Sequence, residues 1–169
     1  EFVELYNPTA SQVLLDNTWK LEGRSHTAAA YNSRWVGTTK TIPAFGHFLI
    51  ASAGYTQTPA ADQALSTGIT DATALRLVQA NVVQDVVCYA FSTATSQPFT
   101  DDATHACEGT PAGNLPHDNT TVGASTSDVS IERKPGGSAG NCTDTDDNAT
   151  DFSSSTPANP QSSASPPTP

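Results

Sequence analysis

The chain has 169 residues, seven Lys and Arg against 17 Asp and Glu, and a formal net charge of −10. That is about one domain's length, and so acidic a chain lacks both the basic footprint of a nucleic-acid binder and a polybasic patch for anionic lipid. No run approaches the ~18 consecutive apolar residues of a spanning helix, and no charged-then-apolar leader opens the sequence.

Apolar residues make up 36%, while Ser and Thr number 41. A modest core with long polar loops is expected. Strands dominate the pattern. Residues 2–6 (Phe-Val-Glu-Leu-Tyr) alternate and stop at Asn7-Pro8, a turn signal. Residues 13–15 form a short apolar run, 19–22 alternate and end at Gly23, and 39–42 stop at Pro43. Residues 47–51 are apolar enough for a strand buried on both faces. Residues 74–78 and 82–89 flank Gln79-Ala80-Asn81, which reads as a hairpin loop. Residues 129–133 alternate again.

Turn signals recur every 8 to 12 residues through much of the chain, the spacing of a β-sandwich. Helix signals are thin: residues 27–31 and 59–65 support a turn at most. Residues 92–128 read mostly as polar loop, anchored at Cys107. The expected organisation is a sandwich over 1–153 and a Ser/Pro-rich tail or linker over 154–169, extended and polyproline-like. Glu1 lies within what reads as a strand, so a preceding segment is expected to have been removed or to lie outside these residues.

Cys88, Cys107 and Cys142 form no C-x-x-C and have no His at zinc-finger spacing. Cys88 ends the apolar run 86–88 and reads as a small core residue, whereas Cys107 and Cys142 sit among turn formers. The pairing favoured is Cys107–Cys142 with Cys88 free; the alternative is three free thiols in a reducing compartment. The Ser/Thr load, the few lysines and the absence of Met favour an extracellular protein.

Asp144, Asp146, Asp147 and Asn148, with Asp151 near, gather the oxygen ligands that a hard cation such as Ca²⁺ takes. The run lacks the Gly and the distant Glu of an EF-hand, and an Asx-turn loop whose carboxylates cap backbone N–H groups explains it without metal. No other cofactor is implied. His26, His47, His105 and His117 are isolated, and His47 reads as a surface or edge residue. His105 near Cys107 would make a Cys–His pair only if the thiol were free. No hydrolase, zincin, dinucleotide or Walker motif occurs, so no enzyme is expected.

Sequons stand at Asn119, Asn141 and Asn148, each expected in a surface loop. The tail reads as an unmodified linker or an O-glycosylated stalk. Tyr6 and Trp19 are assigned to the core, and Trp35, before a Val36-Gly37 turn, to an exposed binding contact.

The order of several segments resembles a known family. Residues 2–8 (Phe-Val-Glu-Leu-Tyr-Asn-Pro) precede Trp19-Lys20-Leu21, 42–51, Leu75-Arg76-Leu77-Val78 and 83–89. Glu108-Gly109-Thr110-Pro111, 130–134 and 142–152 follow. This order is similar to the lamin tail domain of secreted bacterial proteins, over about residues 1–160. The resemblance implies an all-β, immunoglobulin-like sandwich. It also supports Cys107–Cys142, because bacterial relatives often carry cysteines in those two loops. Two departures stand out: Cys88 where the family usually has Gly, and no further strand before Phe2.

A sandwich lacking that strand exposes unpaired backbone groups beside an apolar cleft. Residues upstream, the chain's own tail, or another copy could fill it. The leading reading is a non-catalytic extracellular or cell-surface structural module. In its sharper form, copies assemble into a surface polymer by strand complementation, with neither nucleic acid nor membrane insertion involved. Alternatives are an accessory domain of a secreted nuclease or phosphoesterase, a reading from family association alone, and a Ca²⁺- or carbohydrate-binding module.

Overall fold

The computed structural model describes residues 1–115 and 129–168. Its strands are β1 (Phe2–Tyr6), β2 (Val13–Leu15), β3 (Trp19–Ser25), β4 (Asn32–Val36), β5 (Lys40–Ile42), β6 (His47–Ala51), β7 (Gln63–Ala64), β8 (Thr73–Gln79), β9 (Val82–Ala90), β10 (Ala112–Gly113), β11 (Ser130–Arg133) and β12 (Phe152–Ser155). Helix α1 spans Thr93–Asp101 and the single turn α2 spans Asn148–Asp151. The fold is all-β.

Five strands join in the order β10-β9-β8-β3-β4, and three in the order β1-β6-β7. Two-stranded ladders β2-β5 and β11-β12 flank them. The period of two along each strand decides which side chains meet. Leu75 of β8 and Tyr89 of β9 face inward and meet Leu5, Phe48 and Ile50 of the smaller sheet in one buried cluster with Leu15, Leu21 and Ile42. The alternate set, Ala74, Val86, Cys88 and Ala90, faces outward and is covered by Phe99 of α1. The larger sheet is therefore buried on both faces over this part, which is why residues 86–88 form an unbroken apolar run. Burying one such aliphatic or aromatic side chain contributes ~1.5–3 kcal/mol.

Helix α1 falls within the stretch expected to be polar loop. Its start is a reciprocal cap: the Thr95 N–H donates to Ser92 Oγ at 3.3 Å, and the Ser92 N–H donates to Thr95 Oγ1 at 3.0 Å. The second anchor corrects the expected cysteine pairing. Cys88 is bonded to Cys107, with Cα atoms 5.6 Å apart, and Cys142 is free and exposed. Strand alternation turns the Cys88 side chain to the outer face of the sheet, toward the segment after α1. The disulfide staples that segment to β9, whereas Cys142 follows β11 near the opposite layer.

Four further expectations are corrected, those for Trp35, the tail, His47 and Tyr6. Trp35 is not an exposed contact. It pairs with Leu21 across the β3–β4 ladder, is 3% exposed, and its Nε1 donates to Gln63 Oε1 at 2.7 Å. Nor does the tail extend away as a linker. The Gln161 N–H donates to Glu4 Oε2 at 2.6 Å, the Ser163 N–H to Asp62 Oδ2 at 2.9 Å and the Thr168 N–H to the Phe45 carbonyl at 2.7 Å. The tail lies against the outer side of the β1-β6-β7 sheet and buries His47 completely. His47 Nδ1 is 2.6 Å from Glu4 Oε1 and Nε2 is 3.0 Å from Thr168 Oγ1. Tyr6, expected in the core, lies in this outer layer, where its hydroxyl donates to the Thr168 carbonyl at 2.8 Å.

Candidate functional site

β1 is an edge strand. It pairs antiparallel with β6, from Phe2 opposite Ala51 to Tyr6 opposite His47. The Asn7 N–H donates to Gly46 O at 3.0 Å and the Ser52 N–H to Glu1 O at 2.9 Å. Those bonds fix the parity of the ladder. The backbone groups of Val3 and Leu5 face β6, while those of Phe2, Glu4 and Tyr6 face the opposite edge. No described strand pairs with that edge.

Beside it lies a cleft of about 1200 Å³. Val3, Leu5, Trp19, Leu77, Val87 and Ile131 are among its apolar lining, and β11 and Phe152 form part of its far wall. Val3, Trp19, Leu77, Val87, Ile131 and Phe152 are only partly buried while packing on the main core. Two residues of the lining each carry a buried polar atom without a hydrogen-bond partner among the described residues: Trp19 Nε1, a donor, and Asn141 Oδ1, an acceptor. Asn141 is only 9% exposed. Its Nδ2 is already committed, donating to Glu132 Oε1 at 3.1 Å and to the Arg133 carbonyl at 2.9 Å. A buried polar group without a partner costs ~1–3 kcal/mol.

The β11 wall is strongly acidic. Arg133 lies 2.7 Å from Asp85, 3.3 Å from Asp144, 3.7 Å from Asp151 and 4.0 Å from Glu108. One guanidinium thus faces four carboxylates, and it stacks 4.7 Å over the Phe152 ring. Burial pushes the Asp85 carboxyl above its ordinary value against the pull of Arg133. Burial also raises Glu108, with the Asp85 charge adding to it. Arg133 is the only Lys or Arg among the described residues lining the cleft.

The aspartate run serves the backbone. Asp147 caps α2: Oδ1 accepts from the Thr150 N–H at 2.8 Å and Oδ2 from the Thr110 N–H at 3.1 Å. These bonds hold its carboxyl below the ordinary value. Asp151, with no exposed surface, accepts the N–H and hydroxyl of Thr145 at 2.9 and 2.7 Å. Asp144 faces Arg133, and the Asp146 N–H leans on Asp144 Oδ1 at 3.5 Å. Asn148 points inward. The four suggested ligands Asp144, Asp146, Asp147 and Asn148 therefore do not converge. Among the described residues, no three His, Cys, Asp or Glu side chains form a group able to hold a metal ion. Gly109 shows how tight the loop is: its φ is +55°, and a Cβ there would stand 2.5 Å from Asp147 Oδ2.

Two sequons are corrected by burial. Asn148 has no exposed surface and its Nδ2 donates to Val86 O at 3.0 Å, while the Asn141 Nδ2 is bonded as described. Neither amide is free to carry a glycan. Asn119 and His117 lie outside the described residues. His105 is buried edge-on against Phe99, and the Cys107 sulfur is held in the disulfide, so the two form no nucleophile pair.

Sequence reading missed Arg133 and Asn141 as parts of the cleft wall. No local pattern marks them, because their partners come from β9, the 142–151 loop and β11. The outward signal was the alternation of residues 129–133 beside an expected missing strand. No protein-family model matches the chain, and no curated protein matches it.

Proposed function

We propose that the chain is a non-catalytic extracellular structural module. In this reading it is an immunoglobulin-like sandwich of the lamin-tail type that assembles by taking a β-strand from another copy along the open edge of β1. The observation that carries the reading is the juxtaposition of that edge with the apolar cleft. Backbone N–H and C=O groups of Phe2, Glu4 and Tyr6 face away from β6, and half-buried Val3, Ile131 and Phe152 stand beside them. A donated strand satisfies both at once: main-chain bonds supply affinity, and alternate side chains fill the cleft. A head-to-tail contact of this kind propagates into a filament when the rotation between copies does not close.

The disulfide Cys88–Cys107 supports an oxidising, extracellular setting. No helix among the described residues is long and apolar enough to cross a membrane. The test is light scattering after size-exclusion chromatography without denaturant. The reading expects assemblies well above the 17.5 kDa of one chain, dissociating only on unfolding. A concentration-independent monomer contradicts assembly between copies.

A further inference from the structure

We infer that the C-terminal tail is an exchangeable arm: residues 161–168 of one copy dock on the outer side of the β1-β6-β7 sheet of a second copy, through the contacts they make within their own. This link between copies is separate from strand donation at the β1 edge and does not rest on it.

Three observations converge on exchange. The first is that the sheet holds the tail as it would hold a peptide ligand. Glu4 Oε2 accepts the Gln161 N–H at 2.6 Å, and Asp62 Oδ2 accepts the Ser163 N–H at 2.9 Å while its other oxygen accepts the Ser163 hydroxyl. Thr168 is held at three atoms. Its N–H donates to the Phe45 carbonyl at 2.7 Å, its carbonyl accepts the Tyr6 hydroxyl at 2.8 Å, and its hydroxyl lies 3.0 Å from His47 Nε2. Between these anchors the tail closes on itself. The Ser162 N–H donates to Ser165 Oγ at 3.0 Å, the Ala164 N–H to Ser162 Oγ at 3.3 Å and the Ser165 N–H to the Ser162 carbonyl at 2.9 Å. Every backbone N–H from 161 to 168 therefore has an acceptor, and the segment satisfies the same groups whichever copy supplies it.

The second is the hinge. Residues 156–160 donate no hydrogen bond to any described residue. Pro157 and Pro160 bias Thr156 and Asn159 toward extended backbone, yet the chain bends at 156–157 to bring the tail onto its own sheet. Opening that bend costs the hinge one described hydrogen bond, from Ser155 Oγ to the Pro157 carbonyl at 3.2 Å.

The third is charge. The chain carries a net charge of −10, but residues 152–169 contain no charged side chain. Two acidic bodies pressed together repel. An extended hinge over 156–160 spans ~15 Å, beyond the ~8 Å screening length at physiological salt. A neutral arm thus bridges two copies while their charged bodies stay apart.

The exchanged and unexchanged states share the same docking contacts, so concentration decides between them. A short tether gives the arm an effective concentration on the order of 1 mM at its own sheet. Exchange is expected as the chain approaches that concentration.

The test uses the full chain with Cys142→Ser, which removes the free thiol. Asp62→Cys is placed in one copy and Ser163→Cys in another, and the mixture is oxidised with glutathione disulfide at about 1 mM protein. The expected covalent heterodimer exceeds, by at least about tenfold, that from Asp62→Cys mixed with Gln97→Cys. Gln97 is exposed on α1 and measures random collision. A capped peptide of residues 157–168 in excess should suppress the heterodimer. The same peptide with Ser163→Pro offers no N–H to Asp62 and should not. Heterodimer at the collision level overturns exchange. Should a variant fail to fold, the unmodified chain decides. The 157–168 peptide, labelled with fluorescein and read by anisotropy, should bind it at least about tenfold more tightly than the Ser163→Pro peptide. No binding at about 10 mM peptide, well above the tether's effective concentration, overturns exchange.

Arm exchange and strand donation fail separately. Large assemblies whose heterodimer yield stays at the collision level uphold strand donation and overturn the arm. A chain that is monomeric when dilute, yet gives peptide-sensitive heterodimer near that concentration, upholds the arm and contradicts strand donation.

Discussion

Asn148 Oδ1 accepts the backbone N–H of Cys88 at 2.7 Å across 60 residues of chain. The same side chain donates to Val86 O at 3.0 Å and to Glu108 Oε2 at 3.2 Å. One fully buried amide thus ties α2 to β9 and to the segment after the disulfide. Asn148→Ala leaves the Cys88 N–H and the Val86 carbonyl without these partners. The expected cost is ~2–4 kcal/mol, read as a lowered midpoint in urea. A loss below about 0.5 kcal/mol, within the range of ordinary surface substitutions, would mean the amide carries no structural burden.

The disulfide closes a loop of modest length, since its cysteines lie 19 residues apart. Removing it through Cys88→Ser with Cys107→Ser is expected to cost about 3 kcal/mol and to loosen α1 first. Peptide mapping of the native protein should find Cys88 joined to Cys107, and a maleimide should label Cys142 alone. Labelling of Cys88 in the native state contradicts the pairing.

Acid should weaken the fold through particular carboxylates. The Thr104 hydroxyl and N–H bonds, with Arg24 at 2.8 Å, hold Asp102 at about 2. Asp147 is lowered by the Thr110 and Thr150 N–H bonds. For Asp151, burial pushes upward but the Thr145 bonds outweigh it. A carboxyl lowered in the native state stabilises the fold above its unfolded value, 3.8 here, and loses that contribution as pH falls through its native value. Asp102→Asn should therefore melt lower than the unmodified chain at pH 6. The gap should close between pH 4 and pH 2. A gap independent of pH contradicts the assignment.

The docked tail makes a stability contribution that a linker does not. Asp62 Oδ2 accepts the Leu49 N–H at 2.8 Å and the Ser163 N–H at 2.9 Å, and its other oxygen accepts the Ser163 hydroxyl. Asp62→Ala is expected to lower stability by ~1–3 kcal/mol. It should also make residues 161–168 a preferred site of limited proteolysis. Unchanged cleavage kinetics would mean the tail is held by other contacts.

Eight of the twelve described strands were legible because each carries its own signal, whereas β4, β7, β10 and β12 were not read from the sequence. Alternation over 2–6 and the segments flanking the hairpin loop match β1, β8 and β9 closely, and Ala80 and Asn81 adopt the left-handed φ of 47° and 67° that the tight hairpin requires. Residues decided by distant partners were not legible. Trp35 resembled a loop residue until β4 paired with β3, and His47 resembled an edge residue until the tail covered it. The disulfide was misassigned because both loop cysteines sit among turn formers. The outward direction of Cys88 depends on the register of β9, which spacing alone does not fix. Helix α1 has a weak apolar face and rests on its cap, on Phe99 and on the neighbouring staple. An unpaired edge beside an apolar cleft was expected, but the acidic wall was not, since Asp85, Arg133 and Asp144 meet only in three dimensions.

The most direct test of strand donation reads the amides of β1 one by one. Hydrogen exchange followed by NMR, or by fragmentation mass spectrometry for large assemblies, separates the two edges of the strand. The Val3 and Leu5 amides bond β6 and should be protected in any state of the folded chain. In the assembled protein the Glu4 and Tyr6 amides should be protected to a similar degree, because a donated strand accepts from them. Protection of Val3 and Leu5 alongside rapid exchange at Glu4 and Tyr6, unchanged as concentration rises, would contradict the account.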